Sequence, residues 1–156
     1  VPKIEEHIDI AANQADVFRF CHNLDVRPEW DEQITRVEVL SHPPIRSGTL
    51  LRVDGRHAGG KVFSWDAEVI GYHFPQGSKI RVLDVAPSSP FATGSELSWE
   101  FSSVGGSTRL TWVWSYQPKG ILARIFNSLG GGASDRRAIK NSLNNLKTMM
   151  ESGRRA

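Results

Sequence analysis

Three side chains with titratable or hydroxyl groups, His57, Asp84 and Tyr116, fall at strand positions that alternation directs to the same side as a set of large aromatics. An imidazole or carboxylate in apolar surroundings has its charged form disfavoured, so it can exchange a proton with an activated carbon near neutral pH. A phenol beside it donates a hydrogen bond. These three are the candidates for catalysis, each with a plainer alternative. His57 ends a strand next to AGG and is solvated there; a one-residue slip of register turns Asp84 outward and brings Leu83 and Val85 inside.

The aromatic set is clearest in RLTWVWSYQPKG, residues 109–120, where Leu110, Trp112, Trp114 and Tyr116 occupy every second position. Period-two alternation is the mark of a half-buried strand, and Pro118 and Gly120 end it. Other patterns are missing. The chain has no GxSxG, GxxxxGKS/T or HExxH stretch, and His7, His22, His42, His57 and His73 include no pair at the helical spacing of a metal site. No metal, nucleotide or other cofactor is expected. Cys21 is the only cysteine, which excludes an intrachain disulfide and reads as a small buried hydrophobe.

The elements that must position these residues follow from patterning. Ile4, Ile8 and Ile10 make a first strand. NQADVFRFC starts a helix capped by Asn13, with Asp16 near its positive end, and VRPEWDE makes a second short helix or turn that tolerates Pro28. From Ile34 onward, six strands follow at the spacing of an antiparallel meander: ITRVEVLS, TLLRVDGRH, KVFSWDAEVIG, KIRVLDVA, SELSWEFSSV and TRLTWVWSYQ. Their inner faces are Val37 and Val39; Leu51, Val53, Gly55 and His57; Phe63, Trp65, Ala67 and Val69; Ile80, Val82 and Asp84; Leu97, Trp99 and Phe101; then the 110–116 set. ILARIFNSL has helical spacing, GGG at 130–132 breaks it, and a helix restarting at Ser134 or Asp135 carries the stripe Ile139, Leu143, Leu146, Met150. The break predicts a hinge that lets residues 121–129 move as a lid.

Composition sets the outer bounds. With 156 residues and 39% hydrophobic content, the chain fits one domain, 1–156, able to bury a real core. No apolar run is long enough to span a bilayer, and VPKIEEHIDI lacks the apolar core of a signal peptide, so a cytoplasmic location is expected. Charge is uneven: residues 1–117 hold 11 Lys/Arg against 15 Asp/Glu, net −4, and residues 118–156 hold 8 against 2, net +6. Arg136, Arg137, Lys140 and Lys147 carry no interleaved aromatics, so no nucleic-acid partner is expected and a solvated helix face is the simpler reading. A homo-oligomer is left open.

In IDIAANQADVFRFCHN, PEWDEQITRVEV, GTLLRV, STRLTW and the terminal SLNNLKTMMES, the sequence resembles the START-like, polyketide cyclase/dehydrase and lipid-transport superfamily, over essentially the whole chain. The resemblance implies an α+β helix-grip fold: a curved antiparallel sheet of about seven strands around a long C-terminal helix, two short helices after the first strand, and an internal cavity for an apolar small molecule. It also places Trp30 near the pocket entrance. Aromatics on the inner face then line the cavity instead of filling a solid core, with Gly55 and Ala67 making room. The expected ligand-binding residues are Trp30, Val53, His57, Trp65, Trp99, Phe101, Trp112, Trp114 and Tyr116. Binding, with transport as one form of it, of a lipid or polyketide-like compound is the first expectation. A metal-free cyclase, aromatase or dehydratase is the second, and an interaction module using the basic helix the third.

Overall fold

The structure, a computed structural model, describes residues 3–56, 60, 62–85, 93–116 and 133–153, without the side chains of 84, 85, 133 and 134. In chain order the elements are β1 (Lys3–Ile10), α1 (Gln14–Cys21), α2 (Arg27–Trp30), β2 (Ile34–Val39), β3 (Leu50–Arg56), β4 (Val62–His73), β5 (Gly77–Val85), β6 (Glu96–Val104), β7 (Ser107–Ser115) and α3 (Ala133–Glu151). The expected helix over 121–129, the glycine break at 130–132 and His57 lie outside the described residues.

All seven strands form one antiparallel sheet in the order β1-β7-β6-β5-β4-β3-β2. The β4–β5 pairing carries irregularities at Asp66/Ala67, where Leu83 of β5 is the extra residue, and at Val69/Gly71, where Ile70 of β4 is. Extra residues in one strand of a pair bend it and sharpen its twist, which curls the sheet. The buried inner face runs through Leu51, Val53, Phe63, Trp65, Ala67, Val69, Val82, Leu97, Trp99, Phe101, Leu110, Trp112 and Trp114, and the α3 stripe Ile139, Leu143, Leu146 and Met150 is buried with it. A curled half-barrel with one C-terminal helix is the α+β helix-grip arrangement that alternation and the α3 stripe require, since each buries the apolar side of the other.

Helix α1 begins as its cap predicts: the Asn13 side chain accepts the Asp16 N–H at 2.8 Å. Its Gln14 Nε2 donates to the carbonyls of Pro75 and Phe101 at 3.0 and 2.9 Å, tying the helix to one end of the sheet. Helix α2 is held against α3, where Asn145 Nδ2 donates to the Trp30 carbonyl and the Glu32 N–H to Ser142 Oγ. No helix among the described residues is long and apolar enough to cross a membrane.

One expectation needs correction. Gly55 does not leave space for a ligand: a Cβ there would collide with the Gln33 carbonyl and the Phe63 ring, so its side of the sheet is already filled. The glycine is required by close approach of a neighbouring backbone and ring.

Candidate functional site

Residues 27–31 set the polar heart of the interior. In RPEWD, Pro28 supplies the fixed φ suited to a first helical turn, and the single turn places Arg27 and Asp31 on the same side. Arg27 is only 7% exposed. Its Nε donates to Asp31 Oδ2 at 2.8 Å, and Asp31 Oδ1 also accepts from the Gln33 N–H at 3.3 Å and Ser142 Oγ at 3.4 Å. The guanidinium carbon lies 4.6 Å from the ring centroid of Trp99, 5.4 Å from Trp30 and 5.7 Å from Trp112. A desolvated cation held by one carboxylate and ring faces on several sides is stabilised by both.

Two interior cavities meet at this arginine. The first, about 40 Å³, is bounded by Arg27 with His22, Val53, Tyr72, Ser78 and Trp99 among others. The second, about 60 Å³, is bounded by Arg27 with Asp31, Phe63, Trp112, Trp114 and Ile139 among others. Arg27, Trp65 and Leu97 line both and so form the wall between them. Arg27 makes no hydrogen bond through its terminal nitrogens among the described residues. Among the described residues, neither Trp30 Nε1 nor Trp99 Nε1, both buried, has a hydrogen-bond partner. Buried donors left unmatched cost about 1–3 kcal/mol each. A far larger depression, about 890 Å³, lies on the outer side of the sheet, where Ser98, Glu100, Ser102 and Thr111 face out; its polar, open wall is unlike an enclosed site.

A second polar group closes the far end of the first cavity. His22 follows α1, stacks on Phe18 with centroids 4.1 Å apart, and meets Tyr72 and Trp99 edge-on at 5.4 and 5.3 Å. Its Nδ1 is 2.7 Å from the Phe18 carbonyl and its Nε2 2.7 Å from Ser78 Oγ. Burial pushes the imidazole pKa down to about 4, against a smaller upward pull from the Phe18 carbonyl. The ring is neutral at pH 7.

Of the residues singled out from the sequence, Val53, Trp65 and Trp99 border the first cavity and Trp65, Trp112 and Trp114 the second. Trp30 is fully buried beneath Arg27, with Trp99 at 5.8 Å and Trp112 at 6.3 Å. Phe101 packs on Phe18 at 5.1 Å, and Tyr116 stacks on Trp114 at 6.3 Å. Asp84 pairs with Asp66 in the β4–β5 ladder, and its side chain lies outside the described residues. Arg27, Asp31, His22 and Ser78 were not foreseen. The i, i+4 spacing of Arg27 and Asp31 was the one local signal for the first two.

The family model described as polyketide cyclase / dehydrase and lipid transport matches residues 1–151. No curated protein sequence matches the chain. Among solved structures, a protein of Thermus thermophilus is similar with a TM-score of 0.78 at 18% identity, covering 97% of this chain and 99% of that one. The Zhui aromatase/cyclase of a Streptomyces species has a TM-score of 0.77 at 15% identity, with 96% and 93% covered. Major latex-like protein 151 of Panax ginseng has a TM-score of 0.70 at 13% identity, with 97% and 96% covered. At these identities the likeness is one of fold.

Proposed function

The chain belongs to the polyketide cyclase / dehydrase and lipid transport family, and from that premise we propose that it binds a small apolar, ring-bearing molecule, lipid or polyketide-like, inside the curled sheet, with Arg27 orienting an oxygen of the ligand. The observation that carries this reading is the buried guanidinium, which engages Asp31 through one nitrogen and borders both cavities. Apolar walls with a few convergent polar groups are the usual form of a small-molecule site. Because Asp31 balances the charge of Arg27, a neutral carbonyl or phenol suits the site better than a second carboxylate, which would bury an unpaired negative charge.

Each cavity alone admits little more than a few waters, since a water occupies about 30 Å³ of liquid. A multi-ring ligand therefore spans both and displaces their shared wall of Arg27, Trp65 and Leu97. The cyclase or aromatase reading stays second; the name of the Streptomyces neighbour supports it, and His22, Arg27, Tyr72 and Ser78 bring polar groups to the first cavity. The interaction-module reading is weakened by pairing within the fold: Arg136 and Lys140 reach Glu6, and Lys147 reaches Glu151.

Native mass spectrometry of gently purified protein, with titration of an environment-sensitive naphthyl ketone, tests the proposal. Saturable binding at one site, accompanied by a change in tryptophan emission and weakened at least tenfold in Arg27→Met, is the expected result. Binding that never saturates, or that is indifferent to Arg27, would reject it.

A further inference from the structure

Ser78 and His22 are 56 residues apart in sequence, yet their polar atoms lie 2.7 Å apart at the first cavity. The direction of the hydrogen bonds follows from valence. A carbonyl oxygen only accepts, so the Nδ1 atom facing Phe18 carries the proton; Nε2 then has the lone pair and accepts from the Ser78 hydroxyl. The imidazole cannot turn away, being stacked on Phe18 and bracketed by Tyr72 and Trp99. A hydroxyl bonded to a base, with the base oriented by a third group, is the arrangement of an activated nucleophile. Ser78 sits opposite Tyr72 on β4 and Trp99 on β6 in the ladder, is half-buried, and borders the first cavity.

We propose that Ser78 is the nucleophile of an acyl-transfer site, with His22 as its base and the Phe18 carbonyl as the orienting third member, acting on activated esters of short acids whose acyl group alone enters the first cavity. Ser78 Oγ bonds to the acyl carbon as its proton passes to His22 Nε2 and the carbonyl π pair moves onto oxygen. Arg27 lines the same cavity, and its terminal nitrogens are the N–H groups that would meet that oxyanion. Re-forming the carbonyl breaks the bond to the leaving oxygen, which takes the proton from Nε2. Water, deprotonated by Nε2, then attacks the acyl-serine and releases a carboxylic acid. Ester and water become acid and alcohol, with serine and histidine restored. The buried ring is present as free base at neutral pH but resists becoming imidazolium, so acylation is slow and favours good leaving groups such as nitrophenol.

The test uses p-nitrophenyl acetate on the intact chain, reading acetylation by mass spectrometry with peptide mapping beside nitrophenol release. One acetyl group on Ser78 is expected, forming at least tenfold more slowly in His22→Gln and not at all at that residue in Ser78→Ala, with near-UV circular dichroism of Ser78→Ala matching the parent. Should His22→Gln fail to fold, slowing of Ser78 acetylation in the parent by saturating naphthyl ketone is the second reading. Acetyl groups confined to lysines, or a Ser78 label whose rate ignores both the His22 replacement and the competitor, would overturn the proposal. Whether the cavity binds a ligand is read separately, from the naphthyl ketone titration of the parent and of Arg27→Met.

Discussion

The guanidinium carbon of Arg27 lies 4.6 Å from the centroid of the Trp99 ring while its Nε is bonded to Asp31, so one buried cation is shared between a strand aromatic and a helix-end carboxylate. This contact ties α2 to β6 through the middle of the interior. It also keeps a charge where an apolar pair would pack more cheaply.

That choice predicts a thermodynamic signature. Asp31→Ala or Arg27→Met alone leaves its partner buried and uncompensated and is expected to destabilise the fold by about 3–5 kcal/mol. The double replacement Arg27→Met/Asp31→Leu is expected to recover most of this loss while abolishing naphthyl ketone binding. Urea unfolding midpoints decide it; a double variant as unstable as the sum of the singles would show that Arg27 and Asp31 stabilise the fold independently and not as a compensating pair.

His22 predicts a pH dependence of stability. Its folded pKa of about 4 lies below the ordinary 6.5, so between those values the unfolded chain binds the extra proton and stability falls as pH falls. The difference corresponds to roughly 3 kcal/mol across the window. Unfolding measured from pH 7 down to 4 should show this slope in the parent and lose most of it in His22→Gln. The pairings of Asp9 with Arg109 and of Glu151 with Lys147 lower those carboxyls, and their stabilisation is lost at still lower pH.

Two glycines should respond oppositely. Gly55→Ala drives a methyl into the Gln33 carbonyl and the Phe63 ring and is expected to cost about 1–3 kcal/mol. At Gly71 the nearest atom to an added Cβ is Lys79 Cβ at 3.8 Å, an ordinary contact. Gly71→Ala should therefore leave the melting temperature nearly unchanged, and equal losses in the two variants would contradict the packing described for β3.

The tryptophans divide in the same way. Trp114 stacks near Trp65 and Tyr116 at the edge of the second cavity, whereas Trp30 is wholly buried. Trp114→Ala is expected to weaken naphthyl ketone binding tenfold or more with a stable fold. Trp30→Ala is expected to lose about 3–5 kcal/mol of stability. Parallel thermal melts and titrations separate the two; binding unaltered in Trp114→Ala would place the ligand elsewhere.

Local order along the chain was enough to specify most of the architecture. Alternation in RLTWVWSY and its sister strands dictates which side each residue buries, because the side-chain period of a strand is two; the Asn13 cap and the Ile139–Leu143–Leu146–Met150 stripe likewise act within a few residues. The polar centre had no such signature. A single helical turn at 27–30 is too short to show periodicity, and arginine is ordinarily an exposed residue; Arg27 is buried only because α2 is wedged between α3 and the inner face of the sheet. Ser78 and His22 meet because α1 packs on β6 and so brings the residue after its end beside the start of β5, a long-range contact that neither neighbourhood encodes. A glycine at position 55 makes room along the strand, but in three dimensions that room belongs to Phe63. Local pattern decides which face a side chain takes, whereas burial of a charge and the meeting of distant groups depend on how the faces are packed against each other.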